Sequence, residues 1–153
     1  MVNISEFDMG HHIVLVTGAA GLLGEQHCIA LLEAGATVIA TDLSKFALSE
    51  LRDGHISDMA NKEIRFEPLD VSDLNQVQEL ASRLQQENMM PTTLVNNAAV
   101  NSKVSRFGLL ASGRLEEFDE ENFLKELSVG LTGAVNCCQI FGEFMAKNNF
   151  GNI

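Results

Sequence analysis

The stretch Thr17-Gly18-Ala19-Ala20-Gly21-Leu22-Leu23-Gly24 constrains what this chain can fold into more than any other. It follows the apolar run Ile13 to Val16, which reads as a buried strand. It opens the apolar stretch Leu22 to Ala34, which has helical length. The next strand-like run, Thr37 to Thr41, closes on an acid, Asp42. Strand, glycine turn, helix, strand and acid in that order make a dinucleotide-binding fingerprint.

Each glycine has its own task. Gly18 has no Cβ to obstruct a tight turn off the strand. Gly21 lets the backbone approach a pyrophosphate, and Gly24 lets the helix pack close to the sheet. The helix that begins at Leu22 and Leu23 aims its unpaired N–H groups and positive dipole end at the phosphates. Asp42, with Leu43 beside it, accepts hydrogen bonds from both ribose hydroxyls and repels a 2′-phosphate, which favours NAD over NADP. No Lys or Arg stands in the turn or directly after Asp42, and Lys45 is the nearest.

Beyond the turn, strand-like runs alternate with helical ones. This is the pattern of an α/β fold, a Rossmann-type doubly wound parallel sheet. Strands are expected near 12–17, 37–41, 63–69 and 93–97, in the order 3-2-1-4. Gly35 stops the first helix. Ser44 caps a second, which carries Ala47, Leu48 and Leu51, and 54–62 form a polar connection. Ser72 caps a third, with Asp73 in its first turn and Val77, Leu80, Ala81 and Leu84 on one stripe. A longer helix is expected over 120–147, with Asp119 as cap and a core-like stripe of Phe123, Leu127, Leu131, Ala134, Cys138, Phe141 and Met145.

The 153 residues, 46% hydrophobic, suffice for one core. They divide into an N-terminal tail, 1–11, and a dinucleotide-binding domain, 12–153. A net charge of −11 argues against nucleic acid and anionic membranes as partners. No apolar run has transmembrane length, and a cytoplasmic protein is expected. Cys28, Cys137 and Cys138 lack metal or redox spacing and read as buried packing residues. His27 reads as a surface or packing residue, and the adjacent His11 and His12 as a tail pair.

The chain resembles the short-chain dehydrogenase/reductases. The carriers are Thr17 to Gly24, Leu69-Asp70-Val71-Ser72-Asp73 and Leu94-Val95-Asn96-Asn97-Ala98-Ala99. The resemblance implies that Asp70 bonds the adenine amino group with Val71 beside the ring. It further implies that Asn97, Ala98 and Ala99 line the adenosine ribose and steady the sheet. It implies a homo-dimer or tetramer built through the 120–147 helix, and a small-molecule substrate. The three-apart glycines are those of the extended branch of epimerases and dehydratases, whereas Asn96 to Ala99 points to the classical branch and carries more weight. Segments 128–133, 100–118 and the Gly-Asn-Ile ending are similar to members linked to flagellin or surface-carbohydrate modification, whose substrates are sugar derivatives.

The implied reaction is hydride transfer between nicotinamide and a carbinol or carbonyl carbon. In the family a tyrosine acts as acid and base, a lysine four residues on lowers its pKa, a serine binds the substrate oxygen and an asparagine holds a relay water. This chain has no tyrosine. The position of the asparagine is Gly130, so proton relay is expected through water or Ser128. Phe150 to Ile153 match the start of a fifth strand, and the expectation is a chain truncated before the catalytic half, inactive and poorly soluble alone. Two other readings stand beside the oxidoreductase: a non-catalytic NAD-binding module or fragment, and an extended-branch nucleotide-sugar epimerase or dehydratase. No metal site is expected.

Between Val100 and Phe118 lie Lys103, Arg106 and Arg114, three of ten basic residues. The stretch is either a solvated loop or a wall facing an anionic substrate such as an acidic or phosphorylated sugar. The second reading expects neutralised Arg106 and Arg114 to weaken substrate binding while NAD binding, measured separately, stays intact; equal loss of both would count against it.

Overall fold

Alternation along the first strand divides its side chains between two helical layers. In β1 (Ile13–Thr17), Val14 and Val16 point to one face of the sheet and Leu15 to the other, and all three are fully buried. The same division recurs in β2 (Thr37–Asp42), with Val38 and Ala40 opposed to Ile39. Strands buried on both faces in this way belong to a parallel sheet covered on both sides. A computed structural model describes residues 8–54, 56–57, 63–100, 116 and 119–153.

The order of elements is β1, α1 (Leu22–Glu33), β2, α2 (Lys45–Asp53), β3 (Ile64–Pro68), α3 (Leu74–Gln86), β4 (Thr93–Val95), α4 (Glu120–Leu127), a π-helical turn (Ser128–Gly133) and α5 (Ala134–Lys147). The four strands are parallel in the expected order β3-β2-β1-β4, with Leu15 opposite both Ile39 and Leu94. On one face Val14, Val16, Val38 and Ala40 pack against Cys28 and Leu32 of α1 and Leu51 of α2. On the other, Leu15, Ile39 and Leu94 meet Val77, Leu80 and Leu84 of α3 and Cys137, Phe141 and Met145 of α5. Beyond β4, Asn152 takes up parallel pairing with Thr93, its N–H donating to Thr92 O and its carbonyl accepting from Leu94 N–H.

Local chemistry explains most of the boundaries. Ser44 caps α2 by accepting from Ala47 N–H, and Asp119 caps α4 through Glu121 and Asn122 N–H. After α1, Gly35 takes φ +90°, which ends the helix as glycine does in the left-handed region. The cap of α3 is Asp73, not Ser72: Asp73 accepts from Asn75 N–H, while the Ser72 hydroxyl donates to Asp70 at 2.6 Å. Residues 8–11, expected in a loose tail, are held in place. Met9 N–H donates to Ala34 O, and His12 Nδ1 lies 3.2 Å from Thr92 Oγ1 with its ring stacked on Phe150.

The long helix differs from the regular one expected. The π-helical turn shifts its angular phase between α4 and α5. The buried positions become Gly133, Asn136, Cys137, Phe141 and Met145, while Phe123, Leu127 and Leu131 of the expected stripe are exposed. No helix among the described residues is long and apolar enough to cross a membrane.

Burial pushes the Cys28 thiol up to about 12, with Glu25 adding to it, and the Cys137 thiol also to about 12, with Cys138 adding. Folding therefore keeps both protons on. The stability this reflects is complete below the ordinary thiol value of 9.0 and is lost as pH rises from there through about 12. A thiol reagent at mildly alkaline pH is expected to label Cys28 and Cys137 only after denaturant is added, with the melting temperature falling above pH 9.0; rapid labelling of either in the native chain would contradict this packing.

Candidate functional site

The strand ends at the carboxyl edge of the sheet are joined by a compact set of hydrogen bonds. Thr17 closes β1 with a buried hydroxyl that donates to Val95 O at 3.3 Å and accepts from the N–H groups of Asn97 and Ala98, both at 3.0 Å. The Asn97 amide answers by donating to Thr17 O and Gly18 O, each at 3.0 Å. Asn97 is thus a structural partner of the turn and not part of the cleft wall described below.

On this base the backbone packs too tightly for side chains. Gly18 has φ +62°, and a Cβ there would stand 2.8 Å from Ala98 Cα. A Cβ at Gly24 would stand 2.1 Å from Gly18 O. Gly21 N–H closes the turn on Gly18 O at 3.1 Å. The helix that follows opens differently from its neighbours. Side chains cap α2, α3 and α4, but α1 begins at Gly21 with no side-chain cap, and Leu22 and Leu23 turn their side chains to solvent. Its first N–H groups are left for a group outside the helix, and an anion suits them best.

Asp42 is aimed in advance. Its Oδ2 accepts from Ala20 N–H and its Oδ1 from Ser44 N–H, both at 3.1 Å. Each oxygen keeps lone-pair capacity for a further donor such as a sugar hydroxyl. Asp70 is fixed by Ser72, whose N–H and hydroxyl both donate to its Oδ1, and by Gln76, whose Oε1 accepts from Asp70 N–H.

These elements surround a cleft of about 370 Å³. Gly18, Asp42, Leu43, Asp70, Val71, Ala98 and Ala99, seven of the positions marked by the sequence, line it. Gly21, Leu22, Leu23 and Gly24 form the turn and helix start and are not among its lining residues. The rest of the wall comes from Val100 and from Lys125, Ser128 and Val129 on the long helix, together with Leu69 and Ser72. The helix is held against the cleft floor at Val71. A Cβ at Gly133 would lie 2.5 Å from Val71 Cγ2, and Asn136 Nδ2 donates to Val71 O at 3.0 Å. Gly130 is open, with nothing within 4 Å of a Cβ built on it. The readings placed on Lys103, Arg106 and Arg114 fall outside the described residues.

Sequence reasoning passed over the connecting role of Thr17 and the place of Lys125 in the wall. A hydroxyl residue ending an otherwise apolar strand was a signal for the first. Nothing in sequence spacing marks the second, because Lys125 comes to the cleft through the fold. Among the described residues no group of three His, Cys, Asp or Glu side chains is placed to hold a metal ion.

A family model described as short chain dehydrogenase matches residues 12–153. The chain is 29% identical over 143 residues to the Mycobacterium tuberculosis protein named Probable oxidoreductase EphD, covering 93% of this chain and 22% of that one. It is also 29% identical over 143 residues to the 3-oxoacyl-[acyl-carrier-protein] reductase FabG of Thermotoga maritima, covering 92% and 53%. Its fold matches the crystal structure of a Brucella melitensis 3-oxoacyl-[acyl-carrier protein] reductase with bound NAD, with TM-score 0.80 and 23% identity over 99% of this chain and 57% of that one. The chain thus spans about half the length, or less, of the proteins it matches. The finer resemblance to members linked to flagellin or surface-carbohydrate modification gains no support from these relatives.

Asn97→Ala removes both donors to the backbone of the turn and leaves two carbonyls with one fewer partner. The expected cost is about 1–3 kcal/mol of stability, read from the urea midpoint; an unchanged midpoint would show that the amide does not hold the turn.

Proposed function

Because the chain belongs to the short-chain dehydrogenase family, we propose that it is the cofactor-binding part of an NAD-dependent oxidoreductase acting on a small alcohol or carbonyl substrate. The observation that carries the reading is the turn over Gly18 and Gly24. It brings bare backbone and an uncapped helix start together beside a carboxylate that is already oriented. A Cβ at either glycine would collide with the backbone of the turn and push α1 off the sheet, and this donor set suits a pyrophosphate followed by a ribose diol.

In this reading the N–H groups at the start of α1 hold the pyrophosphate and Asp42 holds the adenosine ribose. Leu43 and Val71 flank the adenine, Asp70 accepts from its amino group, and Ala98 and Ala99 form the wall behind the sugar. The nicotinamide, when bound, supplies the hydride donor or acceptor. The chain's own contribution is to bind and orient the dinucleotide. Asp42 selects NAD because its charge opposes a 2′-phosphate, and no basic residue stands at Leu43 or Ser44 to offset it. The exposed apolar residues Phe123, Leu127, Leu131 and Val135 along the long helix support assembly through that face into a dimer or tetramer.

A second reading, a dinucleotide-binding module without catalysis, is favoured by one observation: Gly130, which offers no side chain, stands where the family carries its relay asparagine.

Asp42→Ala removes the charge-assisted bonds to the ribose and the repulsion of a 2′-phosphate together. Calorimetric titration is expected to show NAD affinity falling about tenfold and the NAD-to-NADP preference shrinking or inverting. The ratio is the decisive readout, since loosening of the turn would weaken both cofactors alike; an unchanged ratio would sink the selectivity role.

A further inference from the structure

Lys125 belongs to none of the motifs in the sequence, yet it lines the same cleft as Asp42 and Asp70. The lining carries two carboxylates and, among the described residues, this one cation. Lys125 stands on α4, two turns before the point where Gly133 and Asn136 lock the helix onto Val71. It therefore belongs to the part of the cleft wall that the long helix supplies, along with Ser128 and Val129. None of the ion pairs among the described residues uses it. The pyrophosphate end of the site is elsewhere, at Gly21 to Gly24, which do not line this cleft.

We infer that Lys125 is a nucleotide-binding residue that reads the adenine base together with Asp70. The inference rests on the dinucleotide reading above and deepens it. A carboxylate can only accept hydrogen bonds and an ammonium can only donate them. Adenine presents, side by side on one edge, an amino group that donates and a ring nitrogen, N7, that accepts. Asp70 and Lys125 form the complementary pair, with Asp70 taking the amino group and Lys125 donating to N7. The ammonium also offsets the two carboxylates, which would otherwise meet an incoming anionic nucleotide in a chain of net charge −11.

The test crosses one atom of the ligand with one residue of the protein. AMP and 7-deaza-AMP, in which a C–H replaces N7, are titrated calorimetrically into the full chain and into Lys125→Met and Lys125→Arg, with NAD run in parallel. For the unaltered chain, loss of N7 is expected to weaken binding about tenfold. In Lys125→Met, AMP itself is expected to bind about tenfold more weakly, and the two nucleotides should bind alike. Lys125→Arg should restore much of the difference. Melting temperatures should match across the three proteins, because the side chain is exposed. An equal loss on removing N7 in the unaltered chain and in Lys125→Met overturns the base contact, as does a Lys125→Met that binds AMP as tightly as the unaltered chain. Failure of the unaltered chain to bind either NAD or AMP overturns the dinucleotide reading itself.

Discussion

Everything at the carboxyl edge of the sheet depends on how closely the backbone at Gly18 and Gly24 can approach its neighbours. Gly24 has room for no side chain against the Gly18 carbonyl, and Gly18 has none against Ala98. Thr17 and Asn97 hold that approach from below by tying the ends of β1 and β4 into one hydrogen-bonded unit. If this contact were looser, α1 would tilt away from the sheet, its first N–H groups would no longer converge, and Asp42 would lose the Ala20 N–H that orients it. Fold and site therefore share one constraint, and a single added methyl group at Gly24 would affect both.

In the proposed reading, the same arrangement lets so acidic a chain hold an anion. The turn carries no basic side chain, and the chain as a whole has a net charge of −11. Attraction has to come from oriented peptide dipoles, which carry no net charge and take effect within the first turn of a helix. In the proposed binding mode this leaves the carboxylates of Asp42 and Asp70 free to accept from sugar and base close by. Position does the work that positive charge does in many phosphate sites.

How much of this was legible in the sequence follows from the range of each interaction. The strand positions and the Ser44 and Asp119 caps are local and could be read from residue spacing, while the sheet order followed from the doubly wound fold that the glycine fingerprint implies. Asp73 displaced Ser72 as the cap of α3 because the Ser72 hydroxyl is engaged by Asp70, a competition between neighbouring residues that composition does not resolve. The burial of the long helix was misread over its first half. A stripe drawn at a constant 3.6 residues per turn assumes a regular helix, and the π-helical turn at Ser128–Gly133 breaks that assumption. The place of Lys125 in the cleft wall was invisible for a related reason, since it depends on where a distant helix lands.

That turn has an evolutionary consequence. A π-helical turn accommodates one residue more than the regular spiral, so it rotates everything before it by about 100° relative to everything after it. Here the pivot lies between a half that is locked into the core through Gly133, Asn136 and Phe141 and a half, α4, that buries no residue completely. An insertion or deletion at this point would turn a different set of side chains toward the cleft while the core half kept its seat. Ligand preference in such a fold can then drift by changes in phase, without passing through sequences that fail to fold.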